Sequence, residues 1–183
     1  MAYLGIDQSL TATGLCLLCD DGTVAHLETV DPGKLRGAPR LALIKDRLLQ
    51  AIASAEALKA AYEGYAYDAV GRVFQLGEVG GVVQLTLYEE GVPAFSVAPV
   101  ALKKFATGSP KADKDAMISA AHRYGALVAD DNQADAFFLA RIAFYLGSQE
   151  QPKTRAQIEV LHAIKNPKVK IARRVRKLVK HAL

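Results

Sequence analysis

The sequence predicts an α/β fold: a five-stranded mixed sheet, three antiparallel strands plus two parallel, flanked by helices. Three observations lead there. Short apolar segments in the first 30 residues are joined by turn formers, as in an antiparallel meander. From residue 40 to residue 99, helical and strand-like patterns alternate, the order that a parallel crossover requires. Beyond residue 100 the apolar spacing is helical.

Residues 3–7 (YLGID) form a short apolar strand that ends at an acid, and QSLTATG supplies a turn. LCLLCD at 15–20 is the second strand, Asp21-Gly22 a tight turn, and TVAHLETV at 23–30 the third strand. A loop at 31–39 leads into a helix over 40–58, where Leu41, Ile44, Leu48, Leu49 and Ile52 recur at steps of three and four. ALKAAYEGYAY at 57–67 reads as the fourth strand, and 72–89 as a second helix with Leu76, Val79, Gly80, Val83 and Leu87 on one face. Gly80-Gly81 inside it costs helix stability and is expected to mark close packing against another backbone. PAFSVAP at 93–99 is the fifth strand, 101–108 opens a short helix, and SPKADKD at 109–115 is a polar, basic loop. Helices follow at 115–125, closed by Gly125, and within 126–147, closed by Gly147. SQEQPK at 148–153 is a linker, and 154–183 has helical propensity broken at Asn166-Pro167. The organisation expected is therefore a folded unit over 1–147 and a basic, largely helical C-terminal tail over 148–183.

The chain has 183 residues, 51% hydrophobic and 23% charged, which excludes a wholly disordered chain and leaves enough length for one core. No apolar run approaches the 18 or so residues that span a bilayer, and MAYLGIDQSL lacks the basic and apolar regions of a signal peptide. Cys16 and Cys19 form a CxxC without a second pair, inside an apolar strand; they read as small buried residues in a reducing, cytoplasmic compartment. The net charge of +4 is divided unevenly. Residues 151–183 hold ten Lys/Arg against Glu159 alone, whereas the preceding 150 residues carry 13 basic and 18 acidic side chains. An acidic body with a cationic appendage suggests a polyanionic partner, nucleic acid first.

Isolated acids at element ends are the candidates for chemistry. Side chains alternate along a strand, so Tyr3, Gly5 and Asp7 share one face. Glu63 ends the fourth strand in an apolar stretch, and with this element order the first and fourth strands are parallel neighbours at the sheet centre. Their carboxyl ends open on the crevice where α/β sheets bind ligands. Two acids side by side there are costly unless neutralised, and a divalent cation neutralises them. Asp131 and Asp135 are four apart, Asn132 and Asp135 three apart, so each pair shares a helix face. Asp130, Asp131 and Asn132 are also good helix caps, whereas Asp135 begins the apolar face of its helix. His26, His122, His162 and His181 show no partner acid at useful spacing.

LGIDQSLTATG at 4–14, YEGYAY with VFQLGEVGGVV within 62–83, VALKKFATGSPKADKDAM at 100–117 and NQADAFFLA at 132–140 together resemble the RuvC-type Holliday-junction resolvases of the ribonuclease H-like fold, in particular bacteriophage versions. The resemblance covers about 140 residues, with four motifs in order. It implies a crossover junction endodeoxyribonuclease whose metal-binding, catalytic residues are Asp7, Glu63, Asp135 and a fourth group. The family carries an acid three residues before its last aspartate; here Asn132 stands there with Asp131 beside it, and either is the candidate. Carboxylate oxygens suit Mg2+, and also Mn2+. Two such ions roughly 3.5–4 Å apart activate water and stabilise the leaving oxygen of a phosphodiester.

The resemblance also assigns Lys103, Lys104, Lys111 and Lys114 to the DNA backbone, and Arg72 and Phe74 to the junction centre, where an aromatic can stack on an unpaired base. Arg173, Arg174, Arg176 and Lys177 of the tail are further DNA contacts by charge. Paired nicks in a four-way junction need two active sites, hence a homodimer, with the glycine-bearing 72–89 helix as its interface. Two other readings fit the same residues: a ribonuclease H or integrase-like nuclease, and a non-catalytic nucleic-acid-binding module of the same fold.

Overall fold

The computed structural model describes residues 1–55, 58–64 and 73–167. In chain order these form β1 (Ala2–Asp7), β2 (Thr13–Leu18), β3 (Val24–Val30), α1 (Gly37–Ala53), β4 (Leu58–Glu63), α2 (Val73–Glu89), β5 (Ala94–Val97), α3 (Pro99–Thr107), α4 (Lys114–Arg123), α5 (Asp131–Gly147) and α6 (Arg155–Lys165). Arg72, Arg173, Arg174, Arg176 and Lys177, and the helical propensity of 168–183, lie outside the described residues.

The strands make one sheet in the order β3-β2-β1-β4-β5. β2 pairs antiparallel with β1 and β3, and β4 pairs parallel with β1 and β5, as the element order requires. Alternation splits the strand residues between two layers. Leu4, Ile6, Leu15, Leu17 and Ala60 pack with Ile44 and Leu48 of α1 and with Val79, Val83 and Leu87 of α2. Tyr3, Cys16, Leu18, Ala61 and Val97 face α3, α4, α5 and α6.

Helix α5 is the organising element of that second layer. From Ala136 to Ala140 every residue is buried, and the helix crosses β1 and β2 where they carry Gly5 and Gly14. A Cβ on Gly5 would overlap the Ala136 carbonyl oxygen and the Ala140 nitrogen, and one on Gly14 would overlap the Asn132 carbonyl. The obstacles are backbone atoms, so a rotamer change cannot relieve them. Gly5→Ala should cost about 3 kcal/mol, the upper range for overpacking. The expected readout is a lower urea midpoint at unchanged slope; an unchanged midpoint would mean that α5 can shift freely.

Several boundaries differ from expectation, each for a local reason. α1 runs Gly37–Ala53 rather than 40–58. Pro39 is accommodated in its first turn, where no intrahelical N–H is needed, and Ser54 closes it, its Oγ donating to the Ala51 carbonyl at 2.7 Å. Pro99 is the first residue of α3 rather than the end of the strand before it. Lys114 opens α4 rather than closing a loop, because Asp113 caps that helix through the Ala116 N–H. Asp130 caps α5, accepting from the Gln133 N–H at 2.8 Å and from Thr29 Oγ1 at 2.7 Å, which also ties the helix start to β3. Gly80 is buried as expected, but among the described residues a Cβ on Gly77 or Gly81 would meet no atom beyond the helix within 4 Å. Cys16 and Cys19 are free thiols, and burial raises the pKa of Cys16. Among the described residues no helix is long and apolar enough to cross a membrane.

Helix α6 starts with a capping box between Thr154 and Gln157. Val160 and Leu161 join the α5-side core, and buried Gln157 donates to the Tyr124 hydroxyl. The first part of the 148–183 segment is thus docked on the body.

Candidate active site

The β1 register sets Asp7 opposite Gly14, with Gly5 two residues earlier on the same face. The glycines let α5 lie against that face, so its first turn arrives beside Asp7. β4 runs parallel to β1 with Tyr62 beside Ile6, which brings Glu63 alongside Asp7. Asp7, Glu63, Asp131, Asn132, Asp135 and Lys114 line one cavity of about 600 Å³. The sequence expectation that strand ends and a helix start would bring these residues together agrees with this geometry.

The acids are crowded and dry. Asp7 is only 6% exposed; burial, then the charges of Glu63 and Asp135, raise its pKa well above the ordinary carboxylate range. Glu63 is pushed up to about 7 by burial and by Asp135, offset in part by its hydrogen bond with Asp7 and by Lys103. Asp135 is pushed up to about 6 by burial and by Asp131, with Lys103 and Lys114 opposing. Asp135 Oδ1 is buried with no hydrogen-bond partner among the described residues. With its amide nitrogen turned toward the strands, Asn132 donates to the Ala12 carbonyl at 3.0 Å and to Asp7 Oδ2 at 3.3 Å. Asp131 is instead drawn to Lys114, whose ammonium pairs with its Oδ2.

Among the described residues no three His, Cys, Asp or Glu are pre-assembled as a metal cage. The chemistry of the set nevertheless suits a cation: hard oxygen donors, acids whose pKa values are raised by desolvation and mutual repulsion, and a carboxylate oxygen without a partner among the described residues. A divalent ion would supply the missing countercharge, so the residues fit the metal that the resemblance implies.

The lysines separate. Lys103 and Lys114 stand close enough to the acids to lower their pKa values, and Lys111 is exposed in the α3–α4 loop. Lys104 points elsewhere: its Nζ pairs with Glu159 of α6 at 2.7 Å, so it is not grouped with the other three. Consecutive helical residues lie about 100° apart, so Lys103 and Lys104 of α3 cannot both face the cavity. Phe74 is 90% exposed at the start of α2, whose Val73, Leu76 and Gly77 form the apolar side of the cavity. His26 does find an acid, Glu28 Oε1 at 3.2 Å, two residues along the same strand face and remote in sequence from the candidate acids. The turn after β1 brings in residues that sequence reading treated only as turn formers: Gln8, Ser9 and Thr11 line the cavity. Their immediate succession to Asp7 was the available signal.

A mixed sheet with acids from β1, β4 and α5 meeting over its centre defines a carboxylate-based nuclease of the ribonuclease H-like class. Residues 3–142 match the family model of crossover junction endodeoxyribonuclease RuvC. The RuvC of Anaeromyxobacter dehalogenans is 34% identical over 145 residues, covering 76% of this chain and 78% of the relative. That of Zymomonas mobilis is 30% identical over 149 residues, covering 76% and 88%. Among solved structures, Thermus thermophilus RuvC superposes with a TM-score of 0.63 at 26% identity, over 79% of this chain and 95% of that one. The same protein solved in complex with a Holliday junction substrate shares the fold, with a TM-score of 0.61 at 23% identity. The chain belongs to the RuvC family of crossover junction endodeoxyribonucleases.

Proposed function

We propose that this endonuclease cuts four-way and other branched DNA with Mg2+ held by Asp7, Glu63 and Asp135, with Asn132 or Asp131 completing the set. The observation that carries the reading is the convergence of three desolvated acids from β1, β4 and α5 in one cavity. Mg2+ bound there would activate water for attack on the phosphodiester and offset charge on the departing 3′ oxygen. The chain's own residues do the rest. Asn132, next to Asp7, fixes that carboxylate and offers a neutral oxygen when its amide turns over. Lys114 holds Asp131 and, with Lys103, supplies positive charge for the scissile phosphate. The apolar side built by Val73 and Leu76 limits water to the polar side. Lys111, exposed in the α3–α4 loop, extends the cationic track. Phe74 offers an exposed ring at the cavity rim for an unstacked base.

Helix α2 supports a homodimer. Phe74, Gly77, Gly81, Leu85 and Tyr88 follow at steps of three and four, so they share one face. Phe74 and Tyr88 are 90% and 83% exposed, Leu85 is 54% exposed, and among the described residues no atom would meet a Cβ on Gly81, while Gly77 borders the cavity. A glycine such as Gly81, uncovered among the described residues, lets a second helix approach closely, and a two-fold axis there would give the two active sites that paired nicks require. An enzyme with this substrate works where DNA is, in the cytoplasm, or in the host's if phage-encoded.

The test is incubation of the protein with a synthetic four-way junction, a replication fork, linear duplex and an RNA–DNA hybrid, with Mg2+ or with chelator. Junction cleavage that stops on chelation is expected. Preferential cutting of the hybrid would overturn the substrate assignment, and junction binding without cleavage would favour a binding module.

A further inference from the structure

We infer that Gln8 is a positioning residue, which sets the spacing of Asp7 and Glu63 by clamping the end of β4 to the end of β1; this rests on the metal-dependent reading above. The β1–β4 ladder ends with Ile6 beside Tyr62, one residue short of both acids. Beyond it no strand pairing holds Glu63 against Asp7, and their crowded carboxylates repel when ionised. Gln8 closes this gap. Its Nε2 donates to the Glu63 main-chain carbonyl at 2.6 Å, across 55 residues of sequence, and adds a rung where the ladder stops. The adjoining Gly64 N–H donates to the Val97 carbonyl at 2.7 Å, so the β4 end is held from both sides, by β5 and by Gln8.

The environment of Gln8 points to the site rather than to general packing. It is 9% exposed, lines the same cavity as the acids, and its buried Oε1 has no hydrogen-bond partner among the described residues. Buried side-chain oxygens in the body of a protein are rarely left so; those that are cluster where a ligand, water or ion completes them. One side-chain atom thus grips the main chain of a candidate ligand while the other is a buried acceptor left unpaired among the described residues. Residues in such an outer shell typically tune metal affinity by ten- to a hundredfold.

The experiment compares wild type with Gln8→Met, which keeps length and apolar volume but loses the donor, and Gln8→Asn, which keeps the amide but falls short of Glu63. Mn2+ binding is titrated by electron paramagnetic resonance without DNA, and thermal unfolding is recorded with and without Mn2+. Both variants should bind Mn2+ at least tenfold more weakly while melting close to wild type in the absence of metal. Junction cleavage should show a lowered kcat at low Mn2+, recovered at high Mn2+, with KM for the junction within twofold. Variant affinity for Mn2+ within twofold of wild type would overturn the role of Gln8 and leave the metal reading standing. A cleavage defect that high Mn2+ does not restore would reduce Gln8 to a structural residue. Failure of wild type itself to bind Mn2+ would instead remove the metal reading on which the inference rests.

Discussion

Asp7→Asn and Glu63→Gln should each lower junction cleavage by roughly a thousandfold or more, a loss of about 4 kcal/mol of transition-state stabilisation. Both should leave junction affinity within about threefold of wild type. The two effects part because, on the reading proposed above, these acids hold a cation, whereas Lys103, Lys111 and Lys114 would meet the phosphates. Near-normal cleavage by either variant would sink the assignment. Equal losses of cleavage and binding would mean that the acids organise the DNA surface instead.

The same substitutions carry an opposite sign for stability. In the unfolded chain the acids ionise near pH 4. In the folded, metal-free protein Glu63 holds its proton up to about 7 and Asp135 up to about 6. Between those limits unfolding releases protons, so stability falls as pH rises from about 4 to about 7 and stays reduced above. Each pKa unit is worth roughly 1.4 kcal/mol; discounted for the part-exposed position of Glu63, the cost at pH 8 is about 2 kcal/mol. Glu63→Gln removes that cost and should raise the melting temperature at pH 8 without metal by roughly 5 °C, with little change at pH 4. Mg2+ should stabilise wild type more than the variant. A lower melting temperature for Glu63→Gln at pH 8 would show that Glu63 serves the fold.

What the sequence could convey follows from the kind of contact involved. The neighbouring ends of β1 and β4 were legible because a helical crossover sets β4 parallel to β3, and the antiparallel meander sets β3 parallel to β1; Asp135 was legible because it begins the apolar face of its helix. The divergence of Lys103 and Lys104 was not, since it depends on the rotation of α3 and on Glu159, which follows 55 residues later. Gln8 was equally hidden. Its partner is a main-chain carbonyl, which every residue possesses, so no pairing of residue types betrays it. Gly81 was expected to pack against another backbone; sequence cannot say whether that backbone is in the same chain or a second copy, and among the described residues none covers it. Helix ends moved because Pro39, Ser54 and Asp113 act through capping geometry that periodicity does not register.

Deleting residues 167–183 should weaken binding to branched and linear DNA alike, by roughly a hundredfold at low salt. The segment holds Lys168, Lys170, Arg173, Arg174, Arg176, Lys177 and Lys180 and no acid. Each phosphate neutralised by such a cation adds about 0.9 to the slope of log affinity against log salt, so the truncated protein should show a slope smaller by several units. The cut falls beyond α6, whose buried Val160 and Leu161 and the bond from Gln157 to Tyr124 keep it docked; the melting temperature should therefore hold. The Lys104–Glu159–Arg155 network on that helix also survives the cut. It neutralises Glu159, the sole acid of residues 151–183, and residues 167–183 add seven cations and no acid. Preference for four-way over linear DNA should persist, because the shape of a junction is matched by two active sites held at a fixed separation, and a cationic tail reads only phosphate density. An unchanged salt slope would assign the tail to a protein partner or to solubility, and a lost preference would place junction recognition in the tail itself.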